Sequence, residues 1–378
     1  MNDKHYFIIA GSTLQYNFVQ EVKEAGFIVH VFDYNPECRC AKIADYFHCI
    51  SIDKKEEILK IAKKYNPVAV QTVACEVGNI SACWVGERLG LKNNSYETAL
   101  NTTDKSRMKD IFAKHDIANA KYLRFNISEE INTDNISLPV VIKPADRSAG
   151  RGVTLVKNNS QLKPAIDLAY SESISKNILF EEVLTGEQYS IETISCNGEH
   201  QIVAFTEEYL DGSENFIENQ QMIPARLNPA DSKELERFIY KVLDVFEIKF
   251  GCCHIEVKKT SQGFKIIEIA SRMGGWRDVL VKYALGVNFN KLLLDASLGI
   301  KPQIICKNNN YALVKMIFTQ KEYDFYTKLK SEFPDKIVHD EVSKYNNNET
   351  KCLADAKGFY YVCIPRSEDI DYYIKGSI

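Results

Sequence analysis

A chain of 378 residues exceeds the roughly 250 to 300 residues at which a single hydrophobic core stops growing, so two or three packed units are expected. Hydrophobic content of 45% with 26% charged residues excludes extended disorder. Lys plus Arg total 47 against 51 for Asp plus Glu, and the net charge of -4 with interspersed signs leaves no footprint for a nucleic-acid partner. The eleven cysteines are irregularly spaced, and Cys38/Cys40 and Cys252/Cys253 fall outside the C-x2-C pattern of a zinc site. Free thiols in a reducing cytoplasm are the simpler expectation. The apolar run Tyr6 to Ala10 is too short for a signal peptide, and no stretch approaches the roughly 18 apolar residues of a membrane span.

The first hundred residues alternate short apolar runs (Tyr6 to Ala10, Ile28 to Asp33, Val68 to Val73) with amphipathic stretches (Val19 to Ala25, Glu56 to Lys64, Ser81 to Leu89). Periods near 2 and 3.6 in turn predict a βαβ series and a parallel, doubly wound sheet. Gly11 after the first run and Asp33 at the end of the second suggest a dinucleotide fingerprint, but one glycine stands where that fingerprint needs three.

From Asn101 the texture changes. A helix capped by Thr103 and running to about Lys114 places Lys105 in its first turn, where the helix dipole disfavours a cation by about 0.3 to 1 kcal/mol. A nearby phosphate would reverse that sign, although Asp104 can soften it. The strand Pro139 to Lys143 ends on a lysine and leads into Pro144 to Val153, whose small residues and glycines, Ser148, Gly150 and Gly152 among them, let backbone N–H groups approach an anion. A plain hairpin turn is the alternative. A strand Val153 to Val156, a helix Gln161 to Ser171 and a strand Ile178 to Glu182 complete a small α+β unit. The stretch Phe180 to Glu192 turns at Gly186 and restarts, exposing backbone groups able to pair with a purine edge. Strands across Tyr189 to Glu207 and Cys252 to Ala270 enclose a helix Asp231 to Glu247. Tyr311 to Ile378 reads as a closing lobe, with Asn346 to Thr350 as a surface loop.

The sharpest local pattern is the hairpin of Cys252 to Lys258 and Phe264 to Ala270. A three-residue Ser261-Gln262-Gly263 loop sets Thr260 against Phe264 and therefore Glu256 against Glu268. Alternation puts both carboxylates on one face, with His254 and Lys258, and turns Ile255, Val257, Ile267 and Ile269 to the other. Like charges directly opposed on neighbouring strands are destabilising. A divalent cation carrying nucleotide phosphates would compensate. Otherwise Lys258 and water neutralise an ordinary solvated strand.

The order of these features resembles the ATP-grasp superfamily over nearly the whole chain: Lys105 at a helix start, Lys143-Pro144 with a small-residue loop, Glu181-Glu182-Val183-Leu184-Thr185-Gly186, then Glu256 and Glu268-Ile269-Ala270-Ser271-Arg272-Met273-Gly274-Gly275. The last motif, with Phe216-Ile217-Glu218 and Ile223-Pro224-Ala225, looks most like carboxylate-amine ligases. The resemblance implies an ATP-grasp fold of mixed α/β and α+β class. A Rossmann-like N-terminal domain spans 1–100, a central lid subdomain 101–190, and an antiparallel C-terminal subdomain with the metal site 191–378. It implies ATP, with magnesium or manganese on Glu256 and Glu268. Lys105 and Lys143 would contact the phosphates, and the loop Ser148 to Val153 would cover them. Glu181, the Glu182 carbonyl and the Leu184 amide would hold adenine. Gln188 would meet the ribose where the family more often has glutamate, with Glu187 as substitute, and Ala270 replaces the usual asparagine ligand. Arg272 would face the transferred phosphoryl group. A small carboxylate and an amine are the implied substrates, with Trp276, Arg277, Glu207, Glu208 and Glu218 as candidate contacts. A bicarbonate-using carboxylase or a non-catalytic ATP-binding regulator are the rivals, and a homodimer is expected only from the frequency of such assemblies.

Overall fold

A computed structural model describes residues 4–129, 131, 136–148, 150–213, 216–343 and 353–376. Asn346 to Thr350, read as a surface loop, and Ala149 of the glycine loop lie outside the described residues.

The N-terminal alternation folds as expected. Strands β1 (His5–Ile9), β2 (Ile28–Asp33), β3 (Tyr46–Cys49) and β4 (Ala69–Gln71) form a parallel sheet in the order β3-β2-β1-β4. Helices α1 (Thr13–Glu24), α2 (Lys55–Tyr65) and α3 (Glu76–Leu89) connect them. Two of these helices begin earlier than their apolar periodicity. Ser12 caps α1, and Gln15 returns a bond to the Ser12 amide, so the glycine-poor turn is a capped helix start. Cys75 caps α3. After α4 (Tyr96–Asn101) comes α5 (Lys105–Lys114), whose cap is Asp104 rather than Thr103: its carboxylate accepts from the Ser106 and Arg107 amides. Aspartate satisfies two orphan donors there and offsets the lysine behind it.

The middle of the chain forms a second sheet, β5 (Tyr122–Asn126), β6 (Val140–Pro144), β7 (Thr154–Val156) and β8 (Asn177–Glu182), antiparallel in the order β5-β8-β6-β7. Helix α6 (Asn159–Glu172) covers one face and closes a small core of Ile142, Val156, Leu162 and Phe180.

The third sheet gathers β9 (Glu187–Cys196), β10 (Glu199–Leu210), β11 (Glu218–Ile223), β12 (Gly251–Thr260), β13 (Gly263–Ala270), β14 (Asn310–Met316), β15 (Ile337–Val342) and β16 (Gly358–Pro365). Its order is β13-β12-β9-β10-β11-β14-β16-β15. The closing segment is therefore continuous with this sheet through the β11–β14 pairing. Helix α7 (Pro229–Val245) packs Leu235, Ile239 and Val242 on one face, against Ile255, Val257 and Ile269. Helices α8 (Arg277–Leu285) and α9 (Phe289–Ser297) join the first and third sheets in one core, with a buried bond of 2.7 Å between Tyr6 Oη and Ser297 Oγ. Helices α10 (Gln320–Glu332) and α11 (Asp371–Lys375) finish the chain around Phe325, Leu329 and Ile374.

The β12–β13 hairpin reaches the expected pairing by another route. Thr260 faces Gly263, not Phe264, so the turn is one residue tighter; a bulge then falls between Glu256 and Val257 on one side and Ile266 and Glu268 on the other. The extra residue restores Glu256 opposite Glu268. It also turns Ile267 into the cleft, whereas alternation alone assigns it to the core.

Gly186, between β8 and β9, has φ +132°, and a Cβ there would collide with the Lys259 carbonyl. Gly186→Ala should lower stability by about 1 to 3 kcal/mol, read as a fall in the urea midpoint at unchanged slope.

Candidate active site

A cleft of ≈ 310 Å³ opens between the central sheet and the third sheet, with the first unit closing one end through Leu14, Ala74 and Glu76. Of the site residues singled out in the sequence, Lys105, Lys143, Ser148, Gly150, Glu181, Glu182, Leu184, Gln188, Glu256, Glu268 and Arg272 all line it. Gly152 does not. Its φ of +73° and its position against Pro144 and Glu172 make it the turn-forming residue at the root of the loop.

Lys105, Lys143 and Arg272 each have a carboxylate partner, whereas Lys258, which also lines the cleft, donates to the Gly186 carbonyl at 3.3 Å. Lys105 Nζ lies 2.7 Å from Glu268 and donates to the Arg147 carbonyl at 2.9 Å, tying the helix start to the glycine loop. Burial alone would lower the Lys105 pKa, but Glu268 outweighs it and raises it. Lys143 is buried with Glu181 at 2.8 Å, and Lys109, one helical turn after Lys105, reaches the other oxygen of the same carboxylate at 3.1 Å. Burial would raise Glu181; the two lysines overcome it and hold the group below the ordinary carboxylate range. Burial pushes Lys109 down to about 8 despite Glu181. The Glu181 side chain is thus committed to lysines. Glu182 faces Lys265 at 3.0 Å.

Arg272 bonds Glu76 through Nε at 3.1 Å and also through Nη2. The residues in register across β12 and β13 part at their carboxyl ends: Glu268 meets Lys105, while Glu256 meets His254 Nε2 at 3.3 Å. Beneath Glu256, one carboxylate oxygen each from Glu208, Glu218 and Glu256 lie within 4.8 Å of one another. Burial, then Glu208 and Glu256, drives Glu218 well above the ordinary carboxylate range; burial and Glu256 also raise Glu208. Gln188 Nε2 bridges Glu208 and Glu218 at 2.9 Å each.

The candidate substrate contacts divide. Trp276, Arg277 and Glu218 line the cleft. The Arg277 guanidinium is spent internally on Glu192 at 3.2 Å, Glu208 at 2.7 Å, Ser190 at 2.9 Å, the Gly275 carbonyl at 3.2 Å and Gln221. Its four terminal donors are therefore engaged, while Nε faces Glu192 as an ion pair without a hydrogen-bond partner among the described residues. Glu207 points to the opposite face of β10, where it binds Arg226 at 2.6 Å. Glu187 likewise accepts from Tyr189 Oη at 2.7 Å and does not line the cleft, leaving Gln188 as the residue that does.

The sequence reading overlooked Lys109, Glu76 and Ile267. Lys109 shares a helix face with Lys105 at i+4, a signal available from the sequence. Glu76 follows the C-terminal end of a parallel strand, where open α/β sheets bind ligands.

Against known families, residues 136–279 match the model of the ATP-grasp domain. The chain is 24% identical over 266 residues to the alanine–anticapsin ligase of Bacillus subtilis (strain 168), covering 64% of this chain and 56% of that one. It spans 56 to 65% of the length of the first curated relatives it matches. Among solved structures it resembles the L-amino acid ligase from Bacillus licheniformis, with a TM-score of 0.80 at 17% identity over 100% of this chain and 97% of that one. It also resembles an N5-carboxyaminoimidazole ribonucleotide synthetase in complex with ADP, with a TM-score of 0.79 at 17% identity over 100% and 96% of the two chains.

Burial would lower the His254 pKa, but Glu192, 2.5 Å from Nδ1, carries it up to about 10. With an unfolded value near 6.5, this stabilisation is complete below about pH 6.5 and is lost as pH rises through about 10. Urea unfolding across that window should show wild-type stability falling with pH more steeply than that of His254→Asn; parallel curves would contradict the pairing.

Proposed function

Because the chain belongs to the ATP-grasp superfamily, we propose that it is an ATP-dependent, ADP-forming ligase that activates a small-molecule carboxylate as an acyl phosphate and couples it to an amine. The observation that carries this reading is the convergence of Lys105, Lys143 and Arg272 with Glu256 and Glu268 on one cleft. The relative named for alanine supports an amino acid as one substrate. We read residues 1–100, 101–190 and 191–378 as the working units, the middle one acting as the lid.

In this reading Lys105 and Lys143 contact the nucleotide phosphates, and the loop Ser148 to Val153 covers them. Adenine meets the main chain of Glu181, Glu182 and Leu184, since the Glu181 carboxylate is taken by lysines, and lies against Ile267. Gln188 faces the ribose. Glu256 and Glu268 offer hard carboxylate oxygens on one cleft, a donor set that fits magnesium and equally manganese, whereas Ala270 offers no donor. Magnesium bound there supplies neutralisation of phosphate charge. Arg272 stabilises charge developing on the phosphoryl group as the substrate carboxylate attacks. The amine then displaces phosphate. Closing the lid keeps water from the acyl phosphate.

A cytoplasmic setting agrees with the free thiols of the ten described cysteines, and among the described residues no helix is long and apolar enough to cross a membrane. A homodimer is the assembly we expect.

A phosphate-release screen of paired carboxylates and amines tests the function. ADP formation should require both partners. Labelled bicarbonate entering product without an amine would indicate a carboxylase instead, and nucleotide binding without ADP formation across a broad panel would indicate a regulator. Glu268→Ala should abolish turnover with an unchanged circular-dichroism spectrum; full activity in that variant would contradict the metal role.

A further inference from the structure

Among the described residues the first unit contributes one charged side chain to the cleft, Glu76, and the chain before it is bent. After β4, Ala74 takes φ +51°, a value L residues rarely adopt. The bend is pinned from several sides. Thr72 Oγ1 donates to the Ile9 carbonyl at 2.6 Å, Gln15 Nε2 to the Val73 carbonyl at 2.5 Å, and the Ala74 amide to the Met273 carbonyl at 3.1 Å. Glu76 therefore enters the cleft as the first residue of α3. One turn later, Asn79 Nδ2 donates to Ser271 Oγ at 2.8 Å, and Thr102 Oγ1 lies 2.7 Å from the same hydroxyl. The segment Ser271 to Met273 is thus clamped onto the first unit on both sides of Arg272.

A guanidinium has five N–H donors in a fixed plane. In Arg272, Nε and Nη2 donate to Glu76 Oε1, and Nη1 donates to the Met273 carbonyl at 3.2 Å. One hydrogen on each terminal nitrogen remains, forming the outer edge of the fork. That edge is the geometry that grips two oxygens of a phosphoryl group. Burial would raise the Glu76 pKa, but Arg272 carries it down to about 2, so the partner stays ionised.

We propose that Glu76 is a positioning residue for the transfer reaction: it sets the guanidinium plane of Arg272 so that the outer edge of the fork faces the phosphoryl group. The proposal rests on the ligase reading of the cleft. Charge and geometry predict opposite signs when Glu76 is removed. By Coulomb's law alone, loss of a carboxylate beside an anion site tightens anion binding. By positioning, the fork is released and binding weakens.

The experiment uses the full chain saturated with MgADP and titrated calorimetrically with inorganic phosphate. Glu76→Ala should weaken phosphate about tenfold or more, with MgADP affinity unchanged. Glu76→Gln, which keeps an acceptor in place and removes the charge, should bind phosphate as well as or better than wild type. Glu76→Asp, which keeps the charge but shortens its reach, should weaken it, and serves if the alanine variant does not fold. The double variant Glu76→Ala/Arg272→Ala should bind no more weakly than Arg272→Ala. Tighter or unchanged phosphate binding in both Glu76→Ala and Glu76→Asp, additive losses in the double variant, or a wild-type MgADP complex that takes up no phosphate at millimolar concentration would overturn the proposal. A wild type that binds no MgADP would overturn the reading of the cleft itself.

Discussion

Lys105, Lys143 and Arg272 line one cleft, and each is held there by a carboxylate from another element. Lys105 on α5 is matched by Glu268 on β13, Lys143 on β6 by Glu181 on β8, and Arg272 after β13 by Glu76 on α3. All three cations are largely buried, where an unpaired charge is costly. Lys109, which shares Glu181 with Lys143, is pushed by burial down to about 8. The pairs thus fix where these side chains sit in the cleft. In the third sheet Glu208, Glu218 and Glu256 crowd together, and burial pushes the first two above the ordinary carboxylate range.

The packing separates the parts that bear these charges. The first and third sheets share one continuous core through α8 and α9, so Glu76 and Arg272 sit on a single body. The central sheet encloses a core of its own and carries Lys143 and the glycine loop. Gly186, at the junction, lies against the Lys259 backbone with no room for a side chain.

Much of this was legible in the residues. Alternating periods declared the parallel sheet, and the spacing of Glu256 and Glu268 about a glycine-bearing turn declared their pairing. The turn itself was misread because a bulge compensates a tighter loop, and the two errors in register cancel at the glutamates while exposing Ile267. Helix starts were the weakest point. Gly78 and Asn79 are poor helix formers, which hid the first turn of α3 and with it Glu76. Long-range pairing was illegible altogether: nothing local marks Arg277 as an internal hub or Glu207 as turned away, because strand neighbours on β9, β10 and β11 decide both.

The most direct test of the account is a crystal structure of the chain with ADP and magnesium. The account predicts nucleotide between the central and third sheets, its phosphates at Lys105 and Lys143, and an ion ligated by both Glu256 and Glu268. Nucleotide lodged elsewhere, or an ion that ignores both glutamates, would contradict it.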